Sequence, residues 1–166
     1  MVRNRTIKTC IISSLAAVIL FRFVFSVIYI PTASMEPAIK AGSFGIAWRL
    51  PYIINSRKTV NRGDIVIFRM EGDTRLLCKR VIGLEGETVT IRDGNVYIDG
   101  NPLEENYVIG TTEGEMSVTV PEGCMFLMGD NREHSSDSRV WEETFIREEK
   151  IYARYKKSRW QCIESV

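Results

Sequence analysis

Several things that would announce a familiar chemistry are scarce in this chain. The cysteines Cys10, Cys78, Cys124 and Cys162 are scattered with no Cys-x-x-Cys pairing, a spacing that gives neither a zinc site nor a disulfide framework. A single histidine, His134, leaves a serine, histidine and acid triad with one candidate. The formal charge of +1 provides no basic footprint, so nucleic acid is not an expected partner. There is no internal repeat or low-complexity tract, and helical periods are few, Glu142 to Glu149 being the best. What remains, in 166 residues of which 45% are hydrophobic, is room for one domain with a core and a segment too apolar for water.

That segment is at the amino end. Arg3, Arg5 and Lys8 precede a run from Thr9 to Phe21 without charge. Basic residues stay on the cytoplasmic side, so the run reads as amino terminus in, remainder out. A span needs about 20 residues, and Phe23 to Ile30 supply the shortfall, with Arg22 as an intruder that can snorkel to the headgroups. The expected organisation is a basic cytoplasmic end over residues 1–8 and an anchor over 9–28. Its outer end lies near Arg22, and Phe23 to Ile30 leave the bilayer as a strand. An extracytoplasmic domain follows over 29–166. A cleavable signal peptide ending at Thr32-Ala33-Ser34 is the competing reading.

Beyond Pro37 the chain is a series of short β-like runs: Ser43 to Arg49, Asp64 to Met70, Leu76 to Leu84, Met116 to Val120, Met125 to Met128 and Ile151 to Tyr155. Thr88 to Ile98 reads as a hairpin turning on Asp93-Gly94, the start of a small subdomain over about 88–122. The expected fold is mainly β, an antiparallel barrel or sandwich of short strands. Cys78 and Cys124 both fall in predicted strands and are read as buried thiols, with their pairing left open.

Two stretches carry the chemistry. Pro31-Thr32-Ala33-Ser34-Met35-Glu36-Pro37 sets one hydroxyl between prolines that hold the backbone away from helix. A nucleophilic serine needs such a fixed setting and a base. His134 lies close in sequence to Asp130 and Asp137, and neighbours in sequence seldom make a triad, because the imidazole needs acid and serine on opposite nitrogens. Lys79 is the better candidate. In a strand it shares a face with Leu77 and Val81, and an apolar row lowers a lysine pKa by desolvation. A base working near neutrality needs a drop of about three units, on the order of 4 kcal/mol. Arg80 points to the other face and, if near, pushes the same way. The bland readings are a turn ending a membrane segment for Ser34 and a lysine snorkelling at a strand edge for Lys79.

Taken together, the motifs resemble the type I signal peptidases, the membrane-anchored serine and lysine proteases of peptidase family S26. Pro31 to Pro37 is similar to their Ser-Met-x-Pro box and Arg62-Gly63-Asp64-Ile65-Val66 to their Gly-Asp strand. Lys79 to Leu84 resembles the lysine box, and Gly129-Asp130-Asn131-Arg132 through Ser135, Asp137, Ser138 and Arg139 the last box. The match runs from about Arg22 to Trp141. The resemblance implies a barrel-like catalytic domain with Ser34 as nucleophile and Lys79 as general base and later general acid. It implies an oxyanion hole from Thr32 and the Ser34 amide, with Ser135 orienting the lysine. Asp130, Arg132, Asp137 and Arg139 would form an ion-paired scaffold. It implies no cofactor and no metal. The partners it implies are secretory preproteins with small residues at the first and third positions before the cut, the lipid bilayer and, as an open case, the protein translocase.

The chain departs from the pattern at Ala33 for glycine, Ala38-Ile39 for Thr-Leu, Glu85-Gly86-Glu87 for Pro-Gly-Asp and His134 for asparagine. None of these removes a reacting group. Phe44, Trp48 and Tyr52 are candidates for resting in the membrane interface, with core aromatics as the alternative. Lys150, Arg154, Lys156, Lys157 and Arg159 make a basic end that either meets anionic lipid or is simply solvated. Two rivals remain at this stage: an inactive membrane-tethered module that binds preproteins, and a self-cleaving repressor. The latter needs a DNA-binding head where residues 1–30 offer a membrane span.

Overall fold

The computed structural model describes residues 2–49 and 60–156. Tyr52, Lys157 and Arg159, singled out above, lie outside the described residues.

The chain opens with helix α1 (Val2–Val24), which has Arg22 in its last turn. From Thr6 to Val24 it is long and apolar enough to cross a bilayer. It buries none of that surface, leaving Ile11, Ile12, Leu15, Val18 and Leu20 exposed. A helix that is apolar all round needs an apolar surrounding. The helix ends at Val24, so residues 25–28 of the anchor expected over 9–28 are strand instead. The reason is pairing. Phe25-Ser-Val-Ile-Tyr-Ile is rich in β-branched and aromatic residues, and all six positions find partners across an antiparallel ladder, from Phe25 opposite Trp48 to Ile30 opposite Ser43.

In chain order the strands are β1 (Phe25–Ile30), β2 (Ser43–Trp48), β3 (Ile65–Phe68), β4 (Leu77–Gly83), β5 (Thr88–Arg92), β6 (Asn95–Ile98), β7 (Asn101–Pro102), β8 (Met116–Thr119), β9 (Cys124–Met128), β10 (Ile146–Arg147) and β11 (Ile151–Lys156). They form a seven-stranded sheet in the order β1-β2-β11-β3-β4-β9-β10 and a four-stranded sheet in the order β7-β6-β5-β8. Every strand pairing is antiparallel. Among the described residues the large sheet does not close on itself, and β1 and β10 are its edges.

The helix expected over Glu142 to Glu149 does not form. Ile146 and Arg147 pair with Met125 and Cys124, and a single 3-10 turn covers Glu148–Lys150. Ile146 is fully buried and is the run's one aliphatic anchor. A segment with one such residue gains more from docking on β9 than from a helix with no apolar stripe to bury. The hairpin turn is as the sequence implies: Asp93 and Gly94 both have positive φ, 51° and 75°, the pairing that a two-residue type I′ turn requires.

Three clusters make the core. Ile30, Met35, Ile39, Ala47, Ile67, Ala153 and Tyr155 pack at the β1 end. Val66, Phe68, Val81, Met125, Leu127 and Ile146 fill the middle. Val89, Ile91, Val96 and Ile98 of the small sheet close on Ile82, Phe126 and Met128. Gly83 is the seam between the sheets, because a Cβ there would collide with Val89 and lie 3.0 Å from Val120. Cys10, Cys78 and Cys124 are free thiols, and burial pushes the Cys78 thiol up to about 12, which keeps it inert.

Candidate active site

The serine stretch leaves β1 at the buried Ile30. Thr32 is extended (φ −113°, ψ 153°), Ala33–Met35 form one 3-10 turn, and Glu36 is extended again (φ −68°, ψ 144°). Met35 and Ile39 are fully buried on either side of Pro37, and Ile39 N–H donates to the Met35 carbonyl at 2.9 Å. The turn is therefore pinned by two core side chains, and Ser34, directly before the first of them, is only 8% exposed. The Ser34 and Thr32 hydroxyls lie 3.3 Å apart. The Ser34 carbonyl accepts from the Asn131 N–H at 3.2 Å.

Lys79 is on β4, which also packs against that turn. The side chain is 4% exposed and aligned with Leu77 and Val81, which pack into the middle cluster. Its Nζ donates to Ser135 Oγ at 2.8 Å, and Ser135 Oγ donates onward to Asp137 Oδ2 at 2.7 Å. Because the Ser135 proton is committed to Asp137, its oxygen is free to receive the amine. Asp137 also accepts from Gly129 N–H at 2.9 Å and from Arg139 Nε at 2.8 Å. Burial drives the Asp137 carboxyl up, yet the bonds from Arg139, Gly129 and Ser135 outweigh it and hold the group below the ordinary carboxylate range. It therefore stays charged.

The Lys79 pKa is lowered to about 8. Burial is the largest cause, Asp137 pulls in the opposite direction, and Arg139 adds a smaller push downward. The expected contribution from Arg80 is corrected here: its charge is engaged by Asp130 at 2.7 and 2.5 Å, and the cation that acts on Lys79 is Arg139.

Gly129 explains how the two halves meet. A Cβ at this position would collide with the Ser135 side chain and the Ser34 carbonyl, so the absence of a side chain lets the loop after β9 close on the serine turn. Among the described residues no hydrogen bond joins Lys79 to Ser34 directly. The amine bonds Ser135 and the Ser34 hydroxyl faces Thr32. Nor does any hydrogen bond join His134 to Ser34, Asp130 or Asp137. His134 is exposed, with Nδ1 3.2 Å from Asn131 Oδ1. Among the described residues no group of three His, Cys, Asp or Glu is arranged to hold a metal ion.

All four charges of the last box are ion-paired, two of them with partners outside it. Asp137 and Arg139 do pair. Asp130 instead meets Arg80, and burial raises its carboxyl despite that partner. Arg132 meets Glu105, from the stretch between β7 and β8, at 2.6 Å. Glu105 and Tyr107 were missed in the sequence, where nothing distinguishes them from a solvated loop.

One strand edge of the site is unpaired. β3 pairs with Leu77 through Arg80, while β9 pairs only from Arg80 to Gly83. Among the described residues, Leu77, Cys78 and Lys79 therefore lack a strand partner on the β9 side, and an extended peptide can be received there by strand addition.

An unpaired strand edge beside a confined serine, with a buried lysine held by a second serine, defines a serine-hydrolase type of site on a β scaffold. Comparison with known proteins agrees. The family model for signal peptidase, peptidase S26, matches residues 3–160. The chain is 34% identical over 147 residues to a probable signal peptidase I-1 of Synechocystis, covering 83% of this chain and 74% of that one. It is 36% identical over 149 residues to signal peptidase I T of Bacillus subtilis, covering 80% and 72%. A crystal structure of a signal peptidase I from Enterococcus faecalis matches with a TM-score of 0.52 and 32% identity, covering 58% of this chain and 96% of that one. The chain belongs to the signal peptidase family, peptidase S26.

Proposed function

We propose that this signal peptidase is a membrane-bound serine endopeptidase that removes amino-terminal signal peptides from secreted preproteins with Ser34 and Lys79 as its reacting pair. The observation that carries this reading is the state of Lys79: buried, bonded to Ser135, and brought to about 8 so that a useful fraction is neutral near physiological pH. A neutral amine that gives one N–H to Ser135 has its lone pair directed elsewhere, and the serine turn packed on β4 is the group at hand.

The cleavage segment extends along the free edge at Leu77 to Lys79. Ser34 Oγ attacks the scissile carbonyl as its proton passes to the Lys79 amine. The oxyanion is received by the Ser34 N–H and the Thr32 hydroxyl, which already lies 3.3 Å from the attacking oxygen. The Lys79 ammonium then protonates the departing amine of the mature chain. Water adds to the acyl-enzyme, giving its proton to Lys79, and the serine is restored. Small residues at the first and third positions before the cut suit the apolar setting next to Ser34, where Ile30 and Met35 are core residues and Cys78 packs against them.

By this reading the anchor holds the site at the bilayer. Arg3, Arg5 and Lys8 favour a cytoplasmic amino end and an extracytoplasmic catalytic domain. β1 continues from the helix, and Val27, Tyr29, Phe44 and Ile46 are exposed side by side on β1 and β2. Such a patch at the base of an anchor suits lipid contact. Nothing observed favours the inactive module. Cleavage of a purified secretory preprotein by wild type, Ser34→Ala, Lys79→Ala and His134→Ala in phospholipid vesicles tests the reading. Activity is expected only in wild type and His134→Ala, and an active Lys79→Ala beside a dead His134→Ala would sink it.

A further inference from the structure

Between β7 and β8 the chain leaves the small sheet, and residues 103–112 cross to the loop 129–139. The crossing is tied by backbone. Ile109 N–H donates to the Asp130 carbonyl and the Ile109 carbonyl accepts from Arg132 N–H, both at 3.0 Å, making a parallel bridge between Ile109 and Asn131. The same Asn131 donates its own N–H to the Ser34 carbonyl at 3.2 Å. The same loop carries Ser135, which holds Lys79. A displacement of the crossing would therefore be felt at both reacting groups.

Two carboxylates fasten it: Glu133 of the loop accepts from Thr111 N–H at 3.0 Å on the exposed side, and Glu105 makes the more buried tie. Glu105 Oε1 accepts from Arg132 Nη2 at 2.6 Å and from the Tyr107 hydroxyl at 2.8 Å. The Arg132 side chain is 1% exposed, with its remaining donors on Thr112 Oγ1 at 2.7 Å and the Gly129 carbonyl at 3.1 Å. The Tyr107 ring lies 3.9 Å from the Arg80 guanidinium, and Arg80 is the partner of Asp130. Glu105 thus joins both arginine systems that brace the loop, one by ion pair and one through the tyrosine it orients. An arginine so deeply buried cannot keep its place when its counter-charge is removed.

We propose, on the reading of Ser34 and Lys79 as the reacting pair, that Glu105 is a positioning residue for the cleavage. It fixes residues 103–112 against the loop 129–139 and so sets where Ser135 and the Ser34 carbonyl stand. The small sheet is by this account a brace of the catalytic loop and not an appendage. Reacting groups must be held to within about 0.5 Å, and a misplacement of about 1 Å can cost about 100-fold.

The test uses the full chain in phospholipid vesicles with a purified secretory preprotein, comparing wild type, Glu105→Gln, Tyr107→Phe and Ser34→Ala. For Glu105→Gln, kcat is expected to fall about 10- to 100-fold with KM within about twofold. The acid limb of the pH profile should also move to higher pH, as a loosened loop admits water to Lys79. Tyr107→Phe, which removes one hydroxyl, should move both in the same direction by about threefold in kcat. A Glu105→Gln protein with a lower Tm but wild-type kcat and acid limb, assayed well below that Tm, makes Glu105 a structural brace only and overturns the proposal. Should Glu105→Gln not accumulate folded, Tyr107→Phe decides by the same two readouts. Retained activity in Ser34→Ala would sink the Ser/Lys reading itself. An inert Ser34→Ala beside an unaltered Glu105→Gln sinks only the role of Glu105.

Discussion

The two sheets of this protein solve the same packing problem under opposite constraints. The small sheet obeys every local rule. Val89, Ile91, Val96 and Ile98 turn inward at alternate positions, while Thr88, Thr90 and Arg92 face outward. Its outer surface is a ladder of hydroxyls, Thr88 to Thr119 at 3.1 Å and Thr90 to Ser117 at 2.9 Å. From Leu84 to Gly123 there are nine acids and one base, Arg92, and on the sheet itself none is buried. The large sheet and its loops instead bury Ser34, Lys79, Asp130, Arg132 and Asp137, groups that cost free energy unless each finds a partner. The difference separates surface built to be stable from surface built to react.

The largest effect that would break the comparison is at the proposed pair. Ser34→Ala and Lys79→Ala should each lower kcat by roughly 1,000-fold or more, measured by preprotein cleavage with Tm as the check on folding. A Thr32→Val variant keeps the shape and loses the donor. It should cost about 100- to 1,000-fold in kcat with little change in KM, and an unchanged kcat would remove Thr32 from the oxyanion hole.

The setting of these candidate residues was legible in the sequence because it is local. Ser34 sits between prolines in seven residues, and the strand alternation at Leu77, Lys79 and Val81 already put the lysine on an apolar face. Most strands were legible for the same reason, each being a short run ended by turn residues. What was not legible depends on distance. Glu105 meets Arg132 across 27 positions and Asp130 meets Arg80 across 50, and one sequence carries no record of such pairings. The helix expected at Glu142 to Glu149 failed likewise, because the docking of Ile146 on β9 is a tertiary gain that a local period does not contain.

The comparison sharpens through the cost of Lys79. Its pKa is about 8 folded against an ordinary 10.5. Between those values the unfolded chain binds a proton that the folded chain does not, so stability rises with pH across the window. Below about 8 the folded protein bears the whole penalty, roughly 3 kcal/mol at about 1.36 kcal/mol per unit. Lys79→Met should abolish that slope. It should also raise stability at pH 7 by about 1 to 3 kcal/mol, the lower figure allowing for the partner that Ser135 loses. Urea melts of wild type and variant in detergent at pH 7 and pH 10 would show it, and a variant less stable than wild type at pH 7 would contradict a dehydrated amine at this position.

The smallest effect belongs to the outer face of the small sheet. Thr90 and Ser117 bond only each other through side chains, in full view of water, so each would bond solvent as well if its neighbour were lost. Replacing both partners together removes the bond without leaving a buried group unsatisfied, and valine at position 90 keeps a strand-favouring branched side chain. Thr90→Val with Ser117→Ala should therefore change unfolding free energy by less than about 1 kcal/mol and leave kcat/KM at the wild-type value. A tenfold fall in kcat/KM with stability unchanged would mean that substrate rests on this face, and the division between a stable sheet and a reactive one would have to be redrawn with the hydroxyl ladder on the reactive side.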